Sequence, residues 1–135
     1  DPVFNRASPI FLGGAPFAST VPVSGIFSLP PLLLTSVNRD VRMTPDEAIR
    51  MSPSVLPQFF SHQFVVAVGE RETDGFIGQS REFVTTVNAA GIPAELQVVP
   101  GRTHFDVLED LAQPQYPLFQ RVLDSLHKPA LAPAK

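Results

Sequence analysis

Two kinds of apolar pattern alternate along the chain. From Gln63 to Glu70, "QFVVAVGE", the apolar residues are continuous and polar residues bound them, the pattern of a central parallel strand covered on both faces. Phe76, Ser80, Phe83, Val84, Val87 and Ala90 then recur at helical spacing, and Gly91 supplies a stop, which predicts an amphipathic helix over about 74–90. "AELQVV", 94–99, reads as the next strand. The strands 63–69 and 94–99 with that helix make a βαβ unit, and a right-handed crossover returns the second strand parallel to the first.

The flanking segments carry weaker signals. "TVPVSGIF" is a short β-branched run that predicts a strand near 21–24 turning at Ser24-Gly25, and Pro30-Pro31 forbids its continuation. In "MTPDEAIRMSP", Thr44 stands as N-cap, Pro45 at the first helical position and Glu47 where it closes a capping box; Pro53 stops this short helix. A helix is expected from about 104 to 111, then a Pro-rich break, then a last helix with a face of Leu118, Val122, Leu123 and Leu126. Residues 1–20 read as irregular, 21–127 as one α/β unit and 128–135 as a disordered tail.

Composition narrows the function classes. With 135 residues, 44% of them hydrophobic and 17% charged, the chain suffices for one ordinary core. A net charge of -3 with scattered Lys and Arg argues against nucleic acid and anionic membrane as partners. The longest apolar run, Gly25 to Leu34, is broken by Ser28 and two prolines and is well short of the roughly 20 residues of a membrane span. The expectation is a soluble, cytoplasmic protein. Having no cysteine, it can form no disulfide, thiolate metal site or cysteine nucleophile, and no metal or cofactor is expected.

The chemistry concentrates where the two parallel strands end, because ligands of open α/β sheets bind at the carboxyl edge. "GERET" follows the first strand and "GRTH" the second, so Glu72 and His104 emerge on neighbouring loops. An imidazole base requires such a partner: the carboxylate accepts the Nδ1 proton, fixes the tautomer and stabilises the imidazolium formed when Nε2 is protonated. Asp74 is the rival acid, and it also stands where it could cap the following helix. His62 and His127 have no partner at metal spacing and read as structural.

Taken together, "VSGIFSLPPLL", "TSVNRD", "TPDEAIRMSP", "VGERETDGFIGQSREF" and "GRTHFDVLEDL" resemble the C-terminal half of an α/β hydrolase of the kynurenine formamidase type, close to hormone-sensitive-lipase-type carboxylesterases. The likeness spans about residues 20–127. It implies a serine hydrolase with His104 as general base and Glu72, or alternatively Asp74, as the orienting acid. It also implies a small ester or formamide substrate, with Phe27 and Leu29 in the segment that would line an acyl or aryl pocket; core packing explains those two residues equally well. Family members take the nucleophile from a Gly-x-Ser-x-Gly elbow upstream of both acid and base, and oxyanion donors from a His-Gly-Gly loop. Neither motif occurs here. Ser24 lies on the correct edge, but "PVSGI" lacks the glycine of the first elbow position, which argues against it as a substitute nucleophile.

Two readings follow. The chain supplies acid and base to a hydrolase whose serine lies elsewhere, or it is a noncatalytic truncated fragment that serves in binding or assembly. If strand 21–24 is the inner strand of a larger sheet, its outer edge lacks a neighbour and must be covered by residues 1–18 folding back, by a second polypeptide or by another copy, and oligomerisation or a partner is expected.

Overall fold

The computed structural model of the protein describes residues 17–55 and 61–127. The expected tail at 128–135, and the irregular opening up to residue 16, lie outside the described residues. Strand β1 (Phe64–Gly69) and strand β2 (Ala94–Val99) pair in parallel, with Phe64 opposite Ala94 and Gly69 opposite Val99. All six residues of β1 are buried, as a continuous apolar run demands of a strand covered on both faces.

The strand expected at 21–24 forms differently. The segment from Phe17 to Ser24 runs beside β1 in the parallel sense through separate bridges, Phe17 to Ser61, Thr20 to Phe64 and Val23 to Ala67, rather than as a regular ladder. Pro22 explains part of this: it has no N–H to give, yet its carbonyl accepts from Ala67 N at 2.9 Å. The segment ends where Ser24 N donates to Ala67 O at 2.9 Å. β1 is therefore the middle element, with β2 on one side and residues 17–24 on the other.

Alternation along β1 sends side chains to two faces. Phe64 and Val66 pack with Phe27, Phe83 and Val87 on one. Ala67 joins Val99, Val107 and Leu118 on the other. Phe83 is the hinge of the first cluster, stacked on Phe27 at 4.1 Å and edge-on to Phe64 at 5.4 Å.

Three short helical pieces follow the Ser24 turn: a 3-10 turn at Pro30–Leu34, helix α1 (Val37–Val41) and helix α2 (Pro45–Arg50). The capping box at Thr44 forms as its spacing requires, Glu47 N donating to Thr44 Oγ1 and Thr44 N to the Glu47 carboxylate. α2 ends at Arg50, and Pro53 opens a further 3-10 turn, Pro53–Val55, instead of terminating the helix itself. Helix α3 (Asp74–Ala89) crosses from β1 to β2, burying Ser80, Phe83 and Val87. Its N-cap is Thr73, so Asp74 is the first helical residue and not the cap.

The C-terminal part departs from expectation twice. His104 does not open a helix: residues 103–106 form a turn and a 3-10 turn follows at Val107–Leu111. In helix α4 (Pro117–His127) the inward face is Leu118, Val122 and Ser125, at spacings of four and three. Leu123 and Leu126 point outward, so apolar type alone misassigned half of that face. Among the described residues no helix is long and apolar enough to cross a membrane.

Candidate active site

β1 and β2 end on the same edge, and their two following loops are tied together through the backbone. Glu70 N donates to Val99 O at 3.0 Å, Arg71 N to Arg102 O at 2.9 Å, and Gly101 N to the Glu70 carboxylate at 2.8 Å. Gly69 permits this approach. A Cβ at that position would collide with the carbonyl of Arg102, so the loops can touch only across a glycine.

The first loop folds Glu72 back over its own turn. Glu72 N donates to Gly69 O at 3.1 Å, and Gly69 N donates to Glu72 Oε1 at 2.8 Å. The second loop turns at Gly101, whose φ of 71° is left-handed and suits glycine. Beyond it, Thr103 N donates to Asp106 at 2.6 Å, and Arg102 bonds Asp110 at 2.6 Å and Glu109 at 3.2 Å, with its guanidinium 5.7 Å from the Tyr116 ring. His104 projects between these fixed points.

The two loops bring Glu72 and His104 together. His104 Nδ1 lies 3.0 Å from Glu72 Oε2. An ionised carboxylate can only accept, so in the neutral ring Nδ1 is the nitrogen that carries the proton and Nε2 keeps its lone pair. The Glu72 side chain is fully enclosed, whereas the imidazole is 46% exposed. Phe76, on the first turn of α3, lies against the ring at 4.7 Å between centroids, and Phe105 stands edge-on at 5.7 Å. Burial pushes the Glu72 carboxyl up, but donation from Ser24, Gly69 N–H and His104, with the attraction of the imidazole, outweighs it and holds the group below the ordinary carboxylate range.

Asp74 is exposed on the outside of α3, and no hydrogen bond joins it to His104. Phe27 is not on an open surface: its ring is buried in the core on Phe83, as the packing alternative expects. Leu29 is half-buried at the start of the Pro30–Leu34 turn, where its N–H donates to Ser52 Oγ at 2.8 Å. Among the described residues no group of three His, Asp or Glu could hold a metal ion.

The sequence places Ser24 on the correct edge without giving its bond, and a second contributor, Gln79, escapes it. Ser24 donates its hydroxyl to Glu72 Oε1, the oxygen that His104 does not use. Its φ of 50° is left-handed, unusual for a residue with a Cβ. Gln79 of α3 accepts from Phe27 N at 2.8 Å and Ser28 N at 2.9 Å and returns a bond to Ser28 O at 3.1 Å, pinning the chain just beyond Ser24. A glutamine on the half-buried side of an amphipathic helix is the only sequence signal of that role.

No family model matches the sequence. The kynurenine formamidase of Salmo salar is 36% identical over 112 residues, which span 78% of this chain and 38% of that protein. That of Danio rerio is 34% identical over 111 residues, with the same shares covered. A solved structure from Silicibacter sp. TM1040, described provisionally as a thioesterase, matches with a TM-score of 0.67 at 31% identity, over 76% of this chain and 37% of that one. The chain spans less than two fifths of the length of these relatives. With its parallel strands and flanking helices it has an α/β-hydrolase-type fold, and over 78% of its length it is homologous to kynurenine formamidases.

Proposed function

We propose that this chain carries the general base, His104, and the orienting acid, Glu72, of a serine hydrolase acting on a small carboxylic ester or an aryl formamide. The single observation behind the reading is the bond from Nδ1 of a half-exposed imidazole to an enclosed carboxylate, which leaves Nε2 free to take a proton. As a hydroxyl attacks the substrate carbonyl, Nε2 takes its proton; the imidazolium then gives that proton to the leaving amine or alcohol, and water repeats the cycle to release the acid. Glu72 holds the imidazole and stabilises its charged form without itself being protonated.

The attacking hydroxyl belongs, in this reading, to a residue outside those described. Ser24 is unsuited to the part because its hydroxyl is spent on the acid and not on Nε2. The names of the relatives, formamidase and thioesterase, favour acyl-bond hydrolysis and leave the acyl group open. A fluorophosphonate probe tests the assignment: the purified chain should stay unlabelled, and an assembly that contains it should be labelled and should hydrolyse p-nitrophenyl acetate. His104→Ala should lower that hydrolysis by roughly 10³-fold or more. Labelling of the purified chain that disappears in Ser24→Ala would overturn the division of roles, and an unchanged rate in His104→Ala would overturn the reading as a whole.

A second reading, binding or assembly without catalysis, draws on two observations. Phe105, adjacent to His104, is 95% exposed, and Leu34 is 93% exposed. Thr20, Pro22 and Ser24 carry the backbone bonds to β1, so the backbone of Val21 and Val23 faces the opposite side. Light scattering of the chain at high concentration distinguishes a partner-seeking surface from a strict monomer.

A further inference from the structure

We propose that Ser24 is a positioning residue, whose hydroxyl locks one oxygen of the Glu72 carboxylate so that the other is presented to His104. The proposal rests on the hydrolase reading for its purpose, but its physical content stands without it. Glu72 has two oxygens and three donors. Oε1 accepts from Gly69 N and from the Ser24 hydroxyl, while Oε2 accepts from His104 Nδ1. With Gly69 alone on Oε1, the carboxylate could still turn about its last torsion, which is broad for glutamate. A second donor from a different element removes that freedom.

The backbone supports this role. Ser24 N is anchored to Ala67 O at 2.9 Å, and the residue then adopts a φ of 50° that side-chain-bearing residues rarely occupy. Gly25 and the Gln79 clasp on Phe27 and Ser28 carry the chain away immediately afterwards. Unusual backbone held by its surroundings on both sides is characteristic of functional sites. Here it directs a hydroxyl at a buried acid. His104 is the titratable side chain in direct hydrogen-bond contact with Glu72, and Glu70, Arg71 and Asp74 stand beside it in the chain.

The test compares Ser24→Ala with Ser24→Gly in the 135-residue chain. Both remove the hydroxyl; glycine also relieves the left-handed backbone, so any loss of stability in the alanine variant is separated from loss of the bond. Carbon NMR of the Glu72 carboxyl across acid pH should show its titration moving upward in both variants. Nitrogen NMR should show the neutral His104 ring losing part of its preference for a proton on Nδ1. If Ser24 serves only the turn, the glycine variant will keep the parent titration and tautomer, and the proposal fails. That outcome is independent of the hydrolase reading, which fails instead on the His104→Ala rate.

Discussion

Glu72 is the side chain on which the others converge, and Gly69 is what lets them do so. The carbonyl of Arg102 occupies the space where a Cβ would stand, so Gly69→Ala must push the histidine loop away from the acid loop. Overpacking of this kind costs about 1–3 kcal/mol, and backbone has less room to yield than a flexible side chain. The expected result is a lower urea midpoint at unchanged slope, together with weakened Glu72–His104 pairing. A stability equal to that of the parent would show that the loops are less tightly interlocked than their bonds suggest. The pair itself was legible in the sequence because both residues follow parallel strands at short distance. Ser24 was not: a serine after a β-branched run gives no sign that its φ is positive or that its hydroxyl faces a carboxylate 48 positions away.

Helix α3 joins the two strands and also fastens the segment that bears Ser24. Its buried face was readable from spacing alone, since Ser80, Phe83 and Val87 are three and four apart. Phe83 contacts Phe27 from the segment after Ser24 and Phe64 from β1, so it bonds three elements into one cluster. Phe83→Ala should cost about 3–5 kcal/mol. Thermal unfolding followed by circular dichroism would measure it, and a loss below 1 kcal/mol, well under the range for buried phenylalanine, would mean that the cluster collapses around the gap. The elements around His104 and at the C-terminus were harder to read. Hydrogen bonds from the Thr103 N–H and hydroxyl to the Asp106 carboxylate hold residues 103–106 in a turn, which displaces the expected helix start to Val107. In α4, Leu123 and Leu126 match a helical repeat, yet the crossing of the helix over β1 selects Leu118, Val122 and Ser125 instead.

For the molecule as a whole, the depressed acids set its response to pH. Burial raises the Glu72 carboxyl, and its three donors more than reverse this, so its folded value lies below the ordinary 4.5. A group lowered on folding contributes stability that is fully present above its unfolded value and is lost as pH falls through the folded one. Asp106 is lowered by the Thr103 N–H and Glu47 by Thr44, and both act in the same direction. Stability should therefore hold from neutrality down to about pH 5 and decline below it. In Glu72→Gln that decline should be shallower, though not absent; an unaltered acid limb, measured by urea unfolding at several pH values, would place the acid sensitivity elsewhere. The parallel order of the strands followed from the apolar runs and the handedness of crossovers, whereas the broken pairing of residues 17–24 was only partly legible, through Pro22 and its missing N–H; the rest depended on contacts with β1.

Glu72 and His104 are only 32 positions apart, on the loops that follow the two strands of one strand–helix–strand run. In the proposed reading, acid and base are thus carried on one short stretch of chain. A cut anywhere ahead of Phe64 would leave both members on one piece with their spacing intact, and one within α3 would part them.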